Sequence, residues 1–386
     1  MEAGFSRISV EGYRRLRSVD VRLRPINVLI GANGVGKTSF LEVFRLMARA
    51  IDRKLQSSIS ELGGMASLLT ADGKTGHLAL RFETRPEPGG SEPRTYRLQL
   101  NGERLGFVVQ SERWTGLYPN TGGTPSDALR GSANPLLMRQ SDEEVIDGGT
   151  YNRQESALVQ GGEFALGGPH WIKKFVGISE VYRPVDVSAR APIRTPQTIS
   201  PAQTPGLNGE DLVSCLYTIR ETDSDRFQAI ENALTVAFPT FDGLNFPAVA
   251  AGRITLGWRD RDFTRVFDIS ELSEGTLRFL WLTTLLQSPG LPQVTLIDEP
   301  EVSLHPEMLQ LLTELMREAS SRTQLIVGTH SDRFIRFLKP EEILACDYDQ
   351  TGGLSTRWAD DLDLKDWLED YTLDQLWGKG LLGGRS

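Results

Sequence analysis

Cysteine and histidine are scarce: the 386-residue chain has two of the first and four of the second. Cys215 and Cys346 lie far apart in unrelated contexts, which offers no zinc-binding spacing and fits two buried thiols in a reducing compartment. Long apolar runs are missing too. No stretch approaches the roughly 18 residues that a membrane-spanning helix needs, and the opening MEAGFSRISVEGYRRLRSVD has no apolar core of signal-peptide length. The expectation is a soluble cytoplasmic protein with no membrane partner. Positive charge is in deficit, 42 Lys and Arg against 51 Asp and Glu. The net charge of −9 excludes a uniformly basic nucleic-acid binder and leaves room only for local basic patches. Sustained heptads and repeats of solenoid period are absent, which excludes a long coiled-coil arm and a repeat array.

What remains is ordinary globular composition, 39% hydrophobic and 24% charged, in a chain long enough for two or three structural units. FSRISVEG, VDVRLRP and INVLI alternate and are rich in β-branched residues, so three strands are expected before residue 31. Phe40, Phe44, Met47 and Ile51 then recur at helical spacing. Residues 77–110 read as an antiparallel meander with Asn101-Gly102 as the hairpin signal. Residues 115–170, rich in Gly, Ser and Asn, read as an insertion, and the Pro-rich passage near 183–205 as an extended surface segment. EDLVSCLYTIR and DRFQAIENALTVAF are helix-like, GRITLGWRD and TRVFDI strand-like, and α/β alternation returns from Glu271.

Four stretches carry chemistry. LIGANGVGKTSFLEVF joins a predicted strand to a predicted helix, and its Gly31, Gly36, Lys37 and Thr38 fit G-x-x-x-x-G-K-[ST]. Glycines let backbone N–H groups curl around a phosphate and the helix N-terminus adds its dipole. That assigns Asn33, Gly34, Val35, Gly36, Lys37, Thr38 and Ser39 to ATP, with Lys37 on the β- and γ-phosphates and the Thr38 hydroxyl on Mg²⁺. VTLIDEPEVSLHP ends an apolar strand in two carboxylates, where open α/β sheets bind ligands; Asp298 suits Mg²⁺ and Glu299 can polarise an attacking water. LSEGT places Ser273 and Gly275 at the start of a strongly apolar helix, which fits a second anion site and equally a simple helix cap. LIVGTHS sets His330 at the end of another apolar strand, within reach of a γ-phosphate or attacking water. His77, His170 and His305 have no comparable setting.

This ordered set, GANGVGKTS, LSEGT, LIDEPEVSLHP and VGTHS, resembles the ATP-binding-cassette ATPases of the SMC/RecF/OLD branch, in particular stand-alone bacterial AAA-family proteins with an OLD-like head. The closing YTLDQLWGKGLLGG is similar to the tail of that group. The resemblance implies an α/β P-loop NTPase of ABC/SMC-head type with two lobes. A mixed β lobe over 1–114 would carry the phosphate loop, 115–205 would be the β-rich or irregular insertion, and an α/β lobe over 206–386 would carry the other motifs. It also implies a composite site in a homodimer or higher oligomer. Ser273 and Gly275 of one copy would close on ATP held by the other, with Asp298 on Mg²⁺, Glu299 as catalytic carboxylate and His330 as the switch. The Q-loop glutamine of that family has only Gln110 and Gln154 as candidates. LSEGT lacks the second glycine and the glutamine of transporter signatures, which argues against a transporter motor. The stretch after the His330 strand is too short for a nuclease domain, so the implied role is ATP-driven gating of a separate effector, a nuclease or toxin, in bacterial anti-phage defence. RecF-like DNA repair, a transporter ATPase subunit and a non-hydrolysing scaffold are the alternatives. Candidate DNA-facing residues are Arg14, Arg15, Arg17, Arg22 and Arg24, with Arg253, Arg259 and Arg261 as a second group.

Overall fold

The computed structural model describes residues 4–72, 75–85, 93–104, 106–114, 152–156, 172, 175, 179–362 and 365–383. The expected insertion at 115–170 lies outside the described residues except for 152–156, and His170 lies outside them as well.

Two sheets clasp one helix. The first is antiparallel, built from β1 (Phe5–Tyr13), β2 (Leu16–Arg22), β4 (His77–Thr84), β5 (Thr95–Glu103) and β6 (Gly106–Trp114) in the order β2-β1-β4-β5-β6. Along β4, Leu78, Leu80 and Phe82 point inward and the residues between them are half-buried, the period of two that a one-sided sheet imposes. The meander is as expected, but its turn is not at Asn101-Gly102. Gly102 pairs with Phe107 and Glu103 with Gly106, so the chain reverses three residues later, between Glu103 and Gly106.

The second sheet has the order β17-β16-β3-β15-β14-β7, from β3 (Ile26–Ile30), β7 (Val181–Tyr182), β14 (Val294–Asp298), β15 (Gln324–Thr329), β16 (Ile343–Tyr348) and β17 (Leu354–Trp358). Every pairing is parallel except the β16–β17 hairpin. All residues of β3 and β15 are buried, because both faces of the sheet are covered. Leu29 faces helix α1 (Lys37–Ala50) and the antiparallel sheet, whereas Val28 and Ile30 face the opposite core. The helical spacing read in the sequence is the buried face of α1: Phe40, Phe44 and Met47 are fully enclosed. Phe44 sits in an aromatic cluster with Phe5 and Phe82, ring centroids 5.1–6.2 Å apart.

The opposite core is helical, with α2 (Leu212–Thr222), α3 (Ser224–Ala237), α4 (Glu274–Gln287) and α5 (Pro306–Ala319). Helix α4 is buried almost all round, which explains its unbroken apolar sequence. Beside it lie two small antiparallel sheets. One joins β8 (Gln197–Thr198), β10 (Ala248–Val249) and β11 (Arg253–Ile254); the other joins β9 (Phe241–Asn245), β12 (Gly257–Asp260) and β13 (Phe267–Asp268).

A boundary at residue 114 therefore does not separate sheets. Strand β3, which delivers the phosphate loop, pairs with β15 and β16 from the far end of the chain. Polar side chains weld the two sheets. The buried Gln324 amide accepts from the Phe5 N–H (2.9 Å) and donates to the Phe5 and Arg24 carbonyls (2.9 Å each). Asn27 accepts from the Arg24 N–H at 2.8 Å and donates to the Leu325 carbonyl at 2.9 Å. Gln324→Leu would remove all three bonds of the Gln324 amide, although the Arg24 carbonyl keeps the Asn27 amide at 2.7 Å, and is expected to destabilise the protein by roughly 2–4 kcal/mol, read as a lower urea midpoint; an unchanged midpoint would refute the weld.

Candidate active site

The loop after β3 turns where glycine permits it. Gly34 and Gly36 have φ of 76° and 125°, conformations that a Cβ would strain. Gly36 is the N-cap of α1 and provides no side-chain cap, so the first N–H groups of the helix, from Lys37 to Ser39, are left for an anion. Lys37 is 9% exposed, and its ammonium donates to the carbonyls of Gly31 (2.6 Å) and Ala32 (3.0 Å). Burial holds it below the usual lysine range, opposed by Cys346 and by the carboxylates Asp298, Glu299 and Glu301. Asn33, Gly34 and Thr38 are exposed on the rim, and Val35 is buried beneath them.

Parallel register brings the other motifs to this loop. Asp298 ends β14 opposite Gly328 of β15, and a Cβ on Gly328 would sit 2.7 Å from Asp298 Oδ1, so glycine here makes room for the carboxylate. Thr38 Oγ1 donates to Asp298 Oδ2 at 3.3 Å. Burial, then the neighbouring Glu299 charge, raises the Asp298 pKa against the pull of Arg183, Thr38 and Lys37. Glu299 has φ of 53°, uncommon for a residue with a side chain, and its N–H is held by the Gly328 carbonyl at 2.7 Å. His330 Nδ1 lies 3.0 Å from Glu299 Oε1. Thr38 and Asp298 thus place two oxygens side by side at an under-neutralised carboxylate. That suits a hard divalent cation such as Mg²⁺, which takes few protein ligands and completes its shell from phosphate and water.

Lys37, Thr38, Asp298, Glu299 and His330 converge; Ser273 and Gly275 do not. Among the described residues no hydrogen bond or ion pair joins Ser273 or Gly275 to residues 31–39. Ser273 caps α4, accepting from the Thr276 N–H at 3.1 Å, and Gly275 is required by packing, since a Cβ there would lie 2.9 Å from the Ser303 carbonyl. The glutamine candidates are misplaced. Gln110 sits at a bulge of edge strand β6, where Leu100 pairs with Val109 and Gln99 with Ser111, and the Gln154 side chain packs on Gly106; neither belongs to the parallel sheet.

The arginines proposed for DNA are mostly engaged within the chain. Arg14 pairs with Glu42 (2.6 Å) and Arg24 with Asp360 (2.8 Å). Arg15 donates to the Gly352 carbonyl (3.1 Å) and lies over the Tyr348 ring, and Arg17 packs on Gly353 beside Asp349. Arg253 is bonded to the Pro196 carbonyl, Arg259 pairs with Asp242 (3.6 Å) and Arg261 donates to the Pro239 carbonyl (2.7 Å). Of this set, Arg22 alone has no side-chain partner among the described residues.

Two residues escaped the sequence reading. Arg183 comes directly after β7, beside Asp298. Glu301, two residues past Glu299, is half-buried with one carboxylate oxygen enclosed. Thr329 Oγ1 donates to its Oε1 at 2.6 Å while Oε2 is buried without a hydrogen bond. Burial raises its pKa against that bond. A raised native pKa means the folded state binds more protons than the unfolded one, so this contribution is present below the ordinary glutamate range and lost as pH rises through the native value. Glu301→Gln is therefore expected to raise the thermal midpoint above wild type at pH 8, with the gap closing toward pH 4. A gap that widens on acidification would contradict the assignment.

Two family models match the chain. One, described as an AAA ATPase domain, covers residues 5–78; the other, over residues 183–336, is described as an AAA domain and tied in that description to the AbiEii toxin and Type IV TA systems. Together they span more than half of the chain. No curated protein matches it. Among solved structures, the chain is similar to an Smc head bound to the C-terminal winged-helix domain of ScpA, with TM-score 0.55, 12% identity and coverage of 95% of this chain and 99% of that one. It is equally similar to the Smc head with an extended coiled coil, bound to the C-terminal domain of ScpA, from Pyrococcus furiosus: TM-score 0.55, 12% identity, 95% and 99% coverage. The phosphate loop, acid pair and histidine are thus gathered on a fold of SMC-head type, and the chain matches AAA ATPase domain models over both segments that carry them.

Proposed function

We propose that the protein hydrolyses ATP at a site completed by a second copy of itself, and that the closing and opening of this pair gates a separate effector. One observation carries the reading: Lys37, Thr38, Asp298, Glu299 and His330 gather at the uncapped start of α1, whereas the start of α4 stands apart from this cluster and faces solvent. The start of α4 is exposed at Ser273 and Glu274; Ser273 occupies the Thr276 N–H, and the N–H groups of Glu274 and Gly275 before it have no intrahelical partner. A two-fold pair would lay each α4 start against the nucleotide of its partner.

In that arrangement the loop N–H groups and Lys37 hold the β- and γ-phosphates. Thr38 and Asp298 would hold Mg²⁺, which when bound would neutralise phosphate charge. Glu299, with its backbone fixed by Gly328, orients and deprotonates the attacking water, and His330, in contact with Glu299, holds the transferred oxygens. Glu301 braces Thr329, the residue before His330. Ser273 and Gly275 of the partner complete the enclosure, so hydrolysis loosens the pair.

Among the described residues no helix is long and apolar enough to cross a membrane. The internal pairing of most candidate arginines favours a protein effector over direct DNA loading. The description of the family matched over 183–336, with its toxin and Type IV TA system, supports an effector of toxin type in antiviral defence.

Glu299→Gln is expected to lower ATP turnover by at least about a hundredfold. With ATP and Mg²⁺ it should then run as a dimer or larger assembly in size-exclusion chromatography with light scattering. A variant that turns over normally, or stays monomeric with saturating ATP, would refute the scheme.

A further inference from the structure

Strand β7 is two residues long, yet it fixes the position of the residue after it. Val181 and Tyr182 pair in parallel with Leu296 and Ile297, so Arg183 falls level with Asp298. Pro184 restricts Arg183 to extended backbone, which sharpens the strand exit. Arg183 lines a small hollow with Asp298 and Glu299.

Its tether is loose. Arg183 Nη2 lies 3.7 Å from Glu42 Oε1, and the side chain is 48% exposed. Glu42 has closer donors in Arg14 Nη1 at 2.6 Å and Tyr13 Oη at 3.1 Å, both on Oε2, so its charge keeps the Arg14 partner if Arg183 leaves Oε1. Glu42 stands one helical turn beyond Thr38 on α1, which puts Arg183 at the Thr38–Asp298 corner, away from the side where Lys37 reaches the loop carbonyls. A guanidinium has five donors and no acceptor, so it cannot ligate a cation; its chemistry at this corner is to meet phosphate oxygens with paired N–H groups.

Resting on the nucleotide-binding reading above, we infer that Arg183 is a γ-phosphate-contacting residue supplied by the same chain. It exchanges Glu42 for the terminal phosphate when a triphosphate binds. The location of Arg183 has a second consequence: because β7 is the edge strand beside β14, the phosphate state of the nucleotide is transmitted to the segment that leads through Val185 and Val187 into the helical core.

The test compares equilibrium affinities for ADP and for a non-hydrolysable ATP analogue, both with Mg²⁺, by calorimetry on full-length wild type, Arg183→Ala and Arg183→Lys. Arg183→Ala should weaken the triphosphate analogue about tenfold or more and leave ADP within about twofold. Arg183→Lys should recover only part of the loss, because one ammonium cannot reproduce a paired contact. Equal losses for both nucleotides, or no loss for either, would overturn the inference. Wild type that binds neither nucleotide would overturn the nucleotide reading itself, a distinguishable failure. Unchanged ADP affinity in Arg183→Ala also certifies that the variant is folded.

Discussion

The parallel register of β3, β15 and β14 is the constraint on which the site depends. Three buried strands end at the same edge, and the next residue or two after each carries a chemical group: the loop leading to Lys37 after β3, His330 after β15, Glu299 after β14. A slip of one residue between β14 and β15 would move Asp298 off Gly328, the position that leaves room for its carboxylate. The same strands are welded to the antiparallel sheet by Gln324, while Asn27 ties β3 to β15 and to the connector at Arg24. Burial on both faces keeps this edge rigid while the loops beyond it bear the strain, seen in the left-handed backbones of Glu299 and Ser303.

Electrostatics at the edge are unbalanced in a useful direction. Three carboxylates, Asp298, Glu299 and Glu301, share the corner with one buried ammonium. Burial raises the first and third above the ordinary range and lowers Lys37 below its own. Such a site is costly without a ligand that brings compensating charge, and a magnesium-bound triphosphate offers both a cation for the acids and anions for Lys37 and Arg183.

The local elements were legible in the sequence. The first and third strands before residue 31, the amphipathic face of α1, the two helices after 206 and the acid pair at a strand end are where periodicity and turn chemistry place them, because each rests on contacts within a short stretch; the second strand runs Leu16–Arg22 and starts three residues earlier than VDVRLRP. Sheet membership was not legible: β3 joins strands nearly three hundred residues away in the chain, and pairing at that distance leaves no trace in local pattern. Glu301 was hidden for a similar reason. An acidic turn and a half-buried acid have the same letters, and only the packing of Thr329 against it tells them apart. Arg183 was hidden beside a proline in a segment read as surface. At the arginines the charge count did not show that exposed cations on the folded surface have neighbours in the same chain. LSEGT keeps both of its meanings: Ser273 caps its helix and Gly275 packs on Ser303, while the same helix start faces solvent.

The central claim, that each nucleotide is enclosed by two chains, is tested most directly by site-specific cross-linking. One chain carries Asn33→Cys and the other Ser273→Cys. The native Cys215 and Cys346 are fully buried and their thiols are pushed up to about 12, so they stay silent. The account predicts that a short bis-maleimide links the two different chains when ATP and Mg²⁺ are added and not when ADP replaces ATP. A link that forms only within a single chain carrying both substitutions, or none at all with ATP, would contradict it.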